Sequence, residues 1–385
     1  MDNNKKAVCW LSFAHGISDV YSGFLTPLMP FIAAKIGFSL AIAAMITSIS
    51  QAISSLIQPL FGYLADVNTK RFFIFWGLIL GSLSNPIAAN TNNIFLLCFF
   101  VVLGNLGGSF FHPQALGLVP RFSDKNSIYN MSIFVTSGTI GFSMGPLITS
   151  SVVQLLGYPY LLLTSLAGLF MAFLMFKCVP KMTSSNSKLK ENLVTALKNI
   201  VFNKTMLILI TIGLMKTLIQ SSCSIMMPFL WKDLGYTPMY IGFGMFLFLF
   251  AGGLGSFFSH WFEKKFGAKF VFYASMTITL PLMIVYGNTY KAYPVFSLII
   301  FIVVGFLTTF AQPITLIMAQ EVLPQYKSIV SGIINGFTWG IVALMLIWLG
   351  YVAEKFGIMN ILIVLSILPA LTSFLVSYLP NRADN

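Results

Sequence analysis

Residues 293–320 read YPVFSLIIFIVVGFLTTFAQPITLIMAQ, without one Asp, Glu, Lys, Arg or His. A helix of that length extends about 42 Å, and about 20 apolar residues already cross the hydrocarbon of a bilayer. Similar runs recur along the chain. They predict spans near 7–34, 41–64, 72–89, 94–118, 127–155, 158–178, 204–231, 239–262, 268–286, 293–320, 326–352 and 357–379. The runs are too long and too evenly apolar for barrel strands, so the spans are expected to be helices.

Composition agrees. Of 385 residues, 57% are hydrophobic and 8% charged, against about 25% charged in a soluble domain. Mean hydropathy is +0.87. Cys9, Cys98, Cys178 and Cys223 lie in or beside apolar runs, without metal-ligand spacing, and read as bystander thiols. No metal or cofactor is expected. Lys5 and Lys6 precede the first run as in a signal peptide. That run continues past His15 and Asp19 with no small-residue cleavage site, so it reads as a retained span.

The net charge of +12 could suggest nucleic acid, but its placement argues for a membrane. With a cytoplasmic N-terminus, seventeen of the 22 basic residues fall on the cytoplasmic side and four on the other, leaving Lys216 within a span. The expectation is a multi-pass inner-membrane protein with both termini cytoplasmic, acting as a monomer. The polar stretch 179–203 reads as a cytoplasmic linker with a surface helix near 190–202. It divides a bundle over 1–178 from another over 204–385.

The two parts repeat. Met29-Pro30-Phe31 with Gly37 matches Met227-Pro228-Phe229 with Gly235 at an offset of 198. His112-Pro113 matches Gln312-Pro313 at an offset of 200. Internal duplication is a signature of secondary transporters, whose solute site lies between the repeats near mid-membrane.

Particular residues carry a family resemblance. Gly62-Tyr63-Leu64-Ala65-Asp66 followed by Lys70-Arg71 resembles the loop between spans two and three of the major facilitator superfamily. Gly141 with Gly145-Pro146 is similar to part of its antiporter motif, whose following Gly-Gly is absent. Ala14 to Asp19, Gln58-Pro59 with Gly62-Tyr63, Phe111-His112-Pro113, and Ala319 to Pro324 with Val330-Ser331-Gly332 resemble the fosmidomycin-resistance branch. The resemblance implies an all-α membrane fold of about twelve helices in two pseudo-symmetric six-helix bundles. It implies that the first and seventh spans face each other across a cavity. In the second copy of the loop motif, Ser259 and Glu263 replace the Gly and the Asp.

Candidate mechanistic residues follow from depth and charge. Asp19 is the one carboxylate deep in a span, ~18 Å in, where insertion costs at least ~2.5–3.5 kcal/mol. Lys216 is the one deep cation, at matching depth in the seventh span. The two are expected to pair directly or through substrate; Lys216 could instead hold an anionic group, or both could form a structural latch. His15, one turn from Asp19, either relays a proton or orients the carboxylate. His112, ~9 Å from the end of its span, and Gln312 are candidate substrate ligands, with Pro113 and Pro313 as hinges; plain packing at a kink is the alternative. Asp66, Lys70, Arg71 and Glu321 are candidate gate residues, and Gly141, Gly145 and Pro146 candidate close-packing positions.

These features lead to a proton-coupled antiporter, an efflux carrier for a small drug or metabolite, working by alternating access between protons, solute and lipid. Uptake by the same fold is the alternative. A receptor or membrane enzyme is a more distant one: no Ser/His/Asp set, metal cluster or phosphate loop is recognisable, so no enzyme activity is expected.

Overall fold

Apolar residues at nearly every position leave the backbone only its own carbonyls to bond with, and the chain answers with helices. A computed structural model describes residues 3–25, 28–38, 40–67, 72–123, 127–179, 193–236 and 238–380. The first bundle comprises α1 (Asn3–Ser22), α2 (Met29–Ile36), α3 (Leu40–Val67), α4 (Phe72–Asn90), α5 (Ile94–Leu118), α6 (Ser127–Leu155) and α7 (Leu161–Cys178). A short helix, α8 (Leu193–Val201), lies in the stretch expected to be the linker. The second bundle comprises α9 (Lys204–Asp233), α10 (Pro238–Phe266), α11 (Ala268–Thr277), α12 (Thr279–Thr289), α13 (Pro294–Phe310), α14 (Gln312–Val322), α15 (Lys327–Ser331), α16 (Thr338–Phe356) and α17 (Ile358–Thr372). A π-helix, Gly332–Phe337, joins α15 to α16.

Ten stretches among the described residues are long and apolar enough to span a bilayer. Helix α1 followed by α2, and helix α3, occupy the places of the other two expected spans. The first, ninth and tenth expected spans are broken, besides the π-helix within the eleventh. The first is not one helix over 7–34: α1 ends at Ser22 and α2 begins at Met29. The ninth breaks between α11 and α12. The tenth breaks at Ala311 (φ −93°, ψ 3°), where Pro313 has no N–H to continue the ladder. Its counterpart Pro113 sits inside an unbroken α5. The repeat is visible in the turns: Gly37 and Gly235 have φ of +90° and +80°, the left-handed region that glycine enters without strain.

The apolar core is divided unequally. On the side of the bilayer that holds Asp66, one cluster joins both bundles, with Phe111, Met131 and Phe134 of the first and Ile314, Ile317 and Ile329 of the second. On the opposite side there are two clusters. One is built on Tyr21, Phe24 and Leu97 of the first bundle, the other on Met227, Trp231 and Phe301 of the second. Asp19 falls between Ala14 of the shared core and Tyr21 of a separate one. Lys216 falls likewise between Ile212 and Leu218. Both candidate charges therefore lie where the shared core divides. Many large apolar side chains, such as Phe176, Trp348 and Leu371, point outward, as a lipid-facing surface requires.

Helix α1 packs closely on α6. A Cβ at Gly141 would come within 2.0 Å of the Gly16 carbonyl oxygen, so the expected close-packing role of Gly141 rests on this contact. A Cβ at Gly138 would lie 2.2 Å from Cε1 of His15. The His15 ring stacks on Phe134 at 4.1 Å and 15°, so it has no room to yield. Gly138→Ala should therefore destabilise the protein by about 1–3 kcal/mol, the usual cost of overpacking. In a His15→Ala background the added methyl should be tolerated. Thermal unfolding of both single variants and the double variant measures the difference; additivity within about 0.5 kcal/mol would exclude the contact.

Candidate functional site

Helix α1 brings His15 and Asp19 to one face, one turn apart. His15 Nδ1 lies 2.7 Å from the Phe134 carbonyl oxygen. A carbonyl only accepts, so Nδ1 carries the hydrogen. This leaves Nε2 facing Asp19, 3.2 Å from Oδ2. A neutral imidazole would present a lone pair there to a carboxylate. The contact is attractive only when a proton sits on Nε2 or on the carboxyl.

His112 of α5 completes the group, with Nε2 3.4 Å from Asp19 Oδ1 and its ring 5.2 Å from that of His15. The Oδ1 contact is not aligned as a hydrogen bond: Asp19 Oδ1 and His112 Nδ1 are both buried without a hydrogen-bond partner. Spacing along the chain placed His15 with Asp19; it gave no sign that His112, 93 residues further on, meets them. The ligand atoms of the three residues all lie within 4.8 Å of one another. The set thus has the donors and spacing to share a cation, and a shared proton accounts for the same distances.

Lys216 does not join this group. The direct Asp19–Lys216 pair does not form: Asp19 meets the two histidines, and Lys216 Nζ is buried with no hydrogen-bond partner. Lys216 lines a cavity of ≈ 30 Å³ together with Thr217, Gln220, Thr308, Gln312 and Trp339. The expected substrate ligands therefore separate, His112 beside Asp19 and Gln312 beside Lys216. The two sets occupy related places in the repeat, α1 with α5 and α9 with α14. Gln312 Nε2 also donates to Asn335 Oδ1 of the π-helix, at 3.0 Å.

A second cluster ties the bundles together at the end of α3. Asp66, whose side chain is 1% exposed, lies 3.1 Å from Arg121. Its Oδ2 accepts from the Ser328 and Ile329 N–H groups at 2.9 and 3.1 Å. A carboxylate on the first free N–H groups of a helix satisfies donors that have no intrahelical partner. Close approach is possible because Gly62 has no side chain: a Cβ there would lie 2.4 Å from the Ser328 carbonyl oxygen. Arg121, Glu321 and Asp66 act electrostatically on Lys327 beside them. Lys70 and Arg71 lie outside the described residues; among those described, Arg121 is a basic partner of Asp66.

Other bonds cross between the bundles nearby. Gln320 Nε2 donates to the Leu116 carbonyl at 3.2 Å. Thr136 donates to the Gly253 carbonyl at 3.0 Å, and the hydroxyls of Ser132 and Ser259 lie 3.0 Å apart. Ser259, which replaces a glycine of the loop motif, thus supplies a hydrogen bond across the interface. A Cβ at Gly145 would lie 2.5 Å from the Val20 carbonyl, so Gly145 joins Gly141 on the α1–α6 contact.

Known proteins are similar to this chain in sequence or in fold. The fosmidomycin resistance protein of Escherichia coli (strain K12) is 25% identical over 387 residues, covering 97% of this chain and 92% of that one. An uncharacterized transporter of Bacillus subtilis (strain 168), YfnC, is 24% identical over 375 residues, covering 94% and 90%. Among solved structures, the transporter FucP in its outward conformation superposes with a TM-score of 0.78 at 13% identity, covering 99% of this chain and all of that one. The profile of the Major Facilitator Superfamily matches residues 11–346, and with two six-helix bundles of the same architecture this chain belongs to that superfamily.

Proposed function

We propose that this membrane transporter exports a small solute in exchange for protons, with Asp19, His15 and His112 as the proton-carrying group. The observation that carries the reading is the short Asp19–His15 contact, which needs a proton because the Phe134 carbonyl has already claimed the hydrogen on Nδ1. An ionisable group held in a membrane helix at the division of the core is the natural place to exchange a proton for solute. His112 offers a second basic nitrogen, so a proton leaving the pair has a neighbour to receive it. Lys216 and Gln312 on the second bundle supply the solute side.

In this reading Asp66 closes the cytoplasmic gate, its side assigned by the excess of basic residues. The shared core on that side and the divided cores on the other favour a state closed toward the cytoplasm. Asp66 grips the start of α15, which runs into the π-helix, whose Ile334 lines the Lys216 cavity. A π-turn is a local weakness in a helix. Residues 327–337 therefore connect the solute cavity to the latch. Release of the Ser328 and Ile329 N–H groups would free this segment to move when the solute state changes.

Export is preferred over uptake because the E. coli relative is named for resistance to a compound. Uptake uses the same machinery in the other direction, and growth rescue on a nutrient, without resistance, would favour it.

In proteoliposomes, adding a transported solute should move protons against it. Asp19→Asn should reduce that proton flux to background while solute exchange without a pH gradient continues. Undiminished proton movement by the variant would refute the assignment. For the gate, a cysteine introduced as Ser132→Cys in a background without the four native cysteines should resist membrane-impermeant maleimide. Adding Asp66→Asn should raise its labelling from the Asp66 side several-fold, because the bonds from the Ser328 and Ile329 N–H groups and the Arg121 contact are weakened together. Equal labelling in both backgrounds would remove Asp66 from the gate.

A further inference from the structure

The cavity at Lys216 has a chemistry of its own. Lys216 is 7% exposed, and its ammonium is buried without a hydrogen-bond partner. No residue lining the cavity is an Asp or a Glu. A buried ammonium with neither counter-ion nor acceptor is an expensive arrangement; the group either gives up its proton or takes a negative partner from outside the chain.

The neighbouring hydrogens are arranged for the same purpose. Thr308 and Thr315 donate their hydroxyl hydrogens to their own helices, to the Gly305 and Ala311 carbonyls. Gln312 commits one amide hydrogen to Asn335 and keeps another. Thr217 and Gln220 line the cavity and hold no hydrogen bond among the described residues. The free donors are thus the Lys216 ammonium, the Thr217 hydroxyl and the amides of Gln220 and Gln312. They face a space lined by one ionisable base and by no carboxylate.

Size limits the ligand further. A cavity of ≈ 30 Å³ holds about two water molecules, at roughly 10–15 Å³ each on this measure. The cavity is not enclosed, so a small head group fits against Lys216 while the rest of a solute extends beyond it. We infer that the Lys216 cavity is the subsite for a singly charged oxyanion head group of the transported solute, with Lys216 as counter-ion and Thr217, Gln220 and Gln312 as hydrogen-bond donors. The remainder of the solute would extend toward the divided side of the core. The inference rests on the transport reading only in calling the ligand a solute; the oxyanion site stands on the cavity itself.

Binding to the purified full-length protein tests this without any gradient. Sodium propionate, methylphosphonate and nitrate are titrated separately at constant ionic strength. Chloride serves as the simple-anion control and isobutylammonium as the cation control, with thermal unfolding and calorimetry as readouts. At least one oxyanion should bind saturably and raise the unfolding temperature above the chloride control, and isobutylammonium should not. Which oxyanion does so identifies the head group.

Lys216→Met should weaken that binding about ten- to hundredfold, as expected for loss of a charge-assisted hydrogen bond, and Lys216→Arg should retain much of it. If Lys216→Met does not fold, Gln220→Leu combined with Thr217→Val gives the second measure and should weaken binding at least several-fold. Saturable oxyanion binding by an unaltered protein that moves no protons when solute is added would defeat the transport reading alone and leave the subsite standing. The inference is overturned if no oxyanion exceeds chloride, if the cation binds better, or if the variants bind the oxyanion unchanged.

Discussion

A carboxylate and an imidazole lone pair repel when no proton lies between them, and a helix bundle in a bilayer provides little water to soften the conflict. Asp19 and His15 stand in that relation, 3.2 Å apart. The Phe134 carbonyl removes the easy escape, because it holds the hydrogen on the other ring nitrogen. Attraction at this contact requires a proton on one of the two groups. The ring stack on Phe134 and the absence of a side chain at Gly138 fix the imidazole so that it cannot turn away.

The duplicated frame places a polar group in each bundle at equivalent depth and gives them opposite character. In the first bundle α1 and α5 bring an acid to two histidines. In the second, α9 and α14 bring a lysine to an amide. Both lie where one shared core gives way to two separate ones. Below that level the bundles are joined by Asp66, Gln320, Thr136 and Ser132; above it each packs on itself. Such a division suits rocking of one bundle on the other, because the contacts that must separate, the shared apolar core and a few polar bonds, are gathered at one end.

Departures from the repeat are as informative as the matches. Pro113 leaves α5 continuous, whereas its counterpart Pro313 begins a new helix after Ala311. The break exposes Gln312 to Asn335 in the π-helix, so the second bundle carries the irregular backbone. Irregular backbone within a membrane is tolerated where it is covered by protein or lines a cavity, and here it borders the Lys216 cavity and leads to the Asp66 latch. Ser259, likewise a departure from the loop motif, contributes a hydrogen bond across the interface that glycine cannot make.

Much of this was legible in the residues alone. Hydrophobic runs of membrane length, the bias of basic residues, the repeated Met-Pro-Phe turns and the loop motif at Asp66 determined a two-bundle transporter fold, because each signal is local and acts through length, charge or backbone conformation. Asp19, His15, His112 and Lys216 could be singled out because ionisable groups are costly in hydrocarbon wherever they sit. Only the tertiary structure decided their partners: His112 with Asp19, Arg121 with Asp66, and Lys216 alone in a cavity. Partnership depends on how far each helix is rotated and how closely it approaches its neighbour. Those quantities are set by contacts such as Gly138 against His15 and Gly62 against Ser328, between residues 123 and 266 positions apart in the chain.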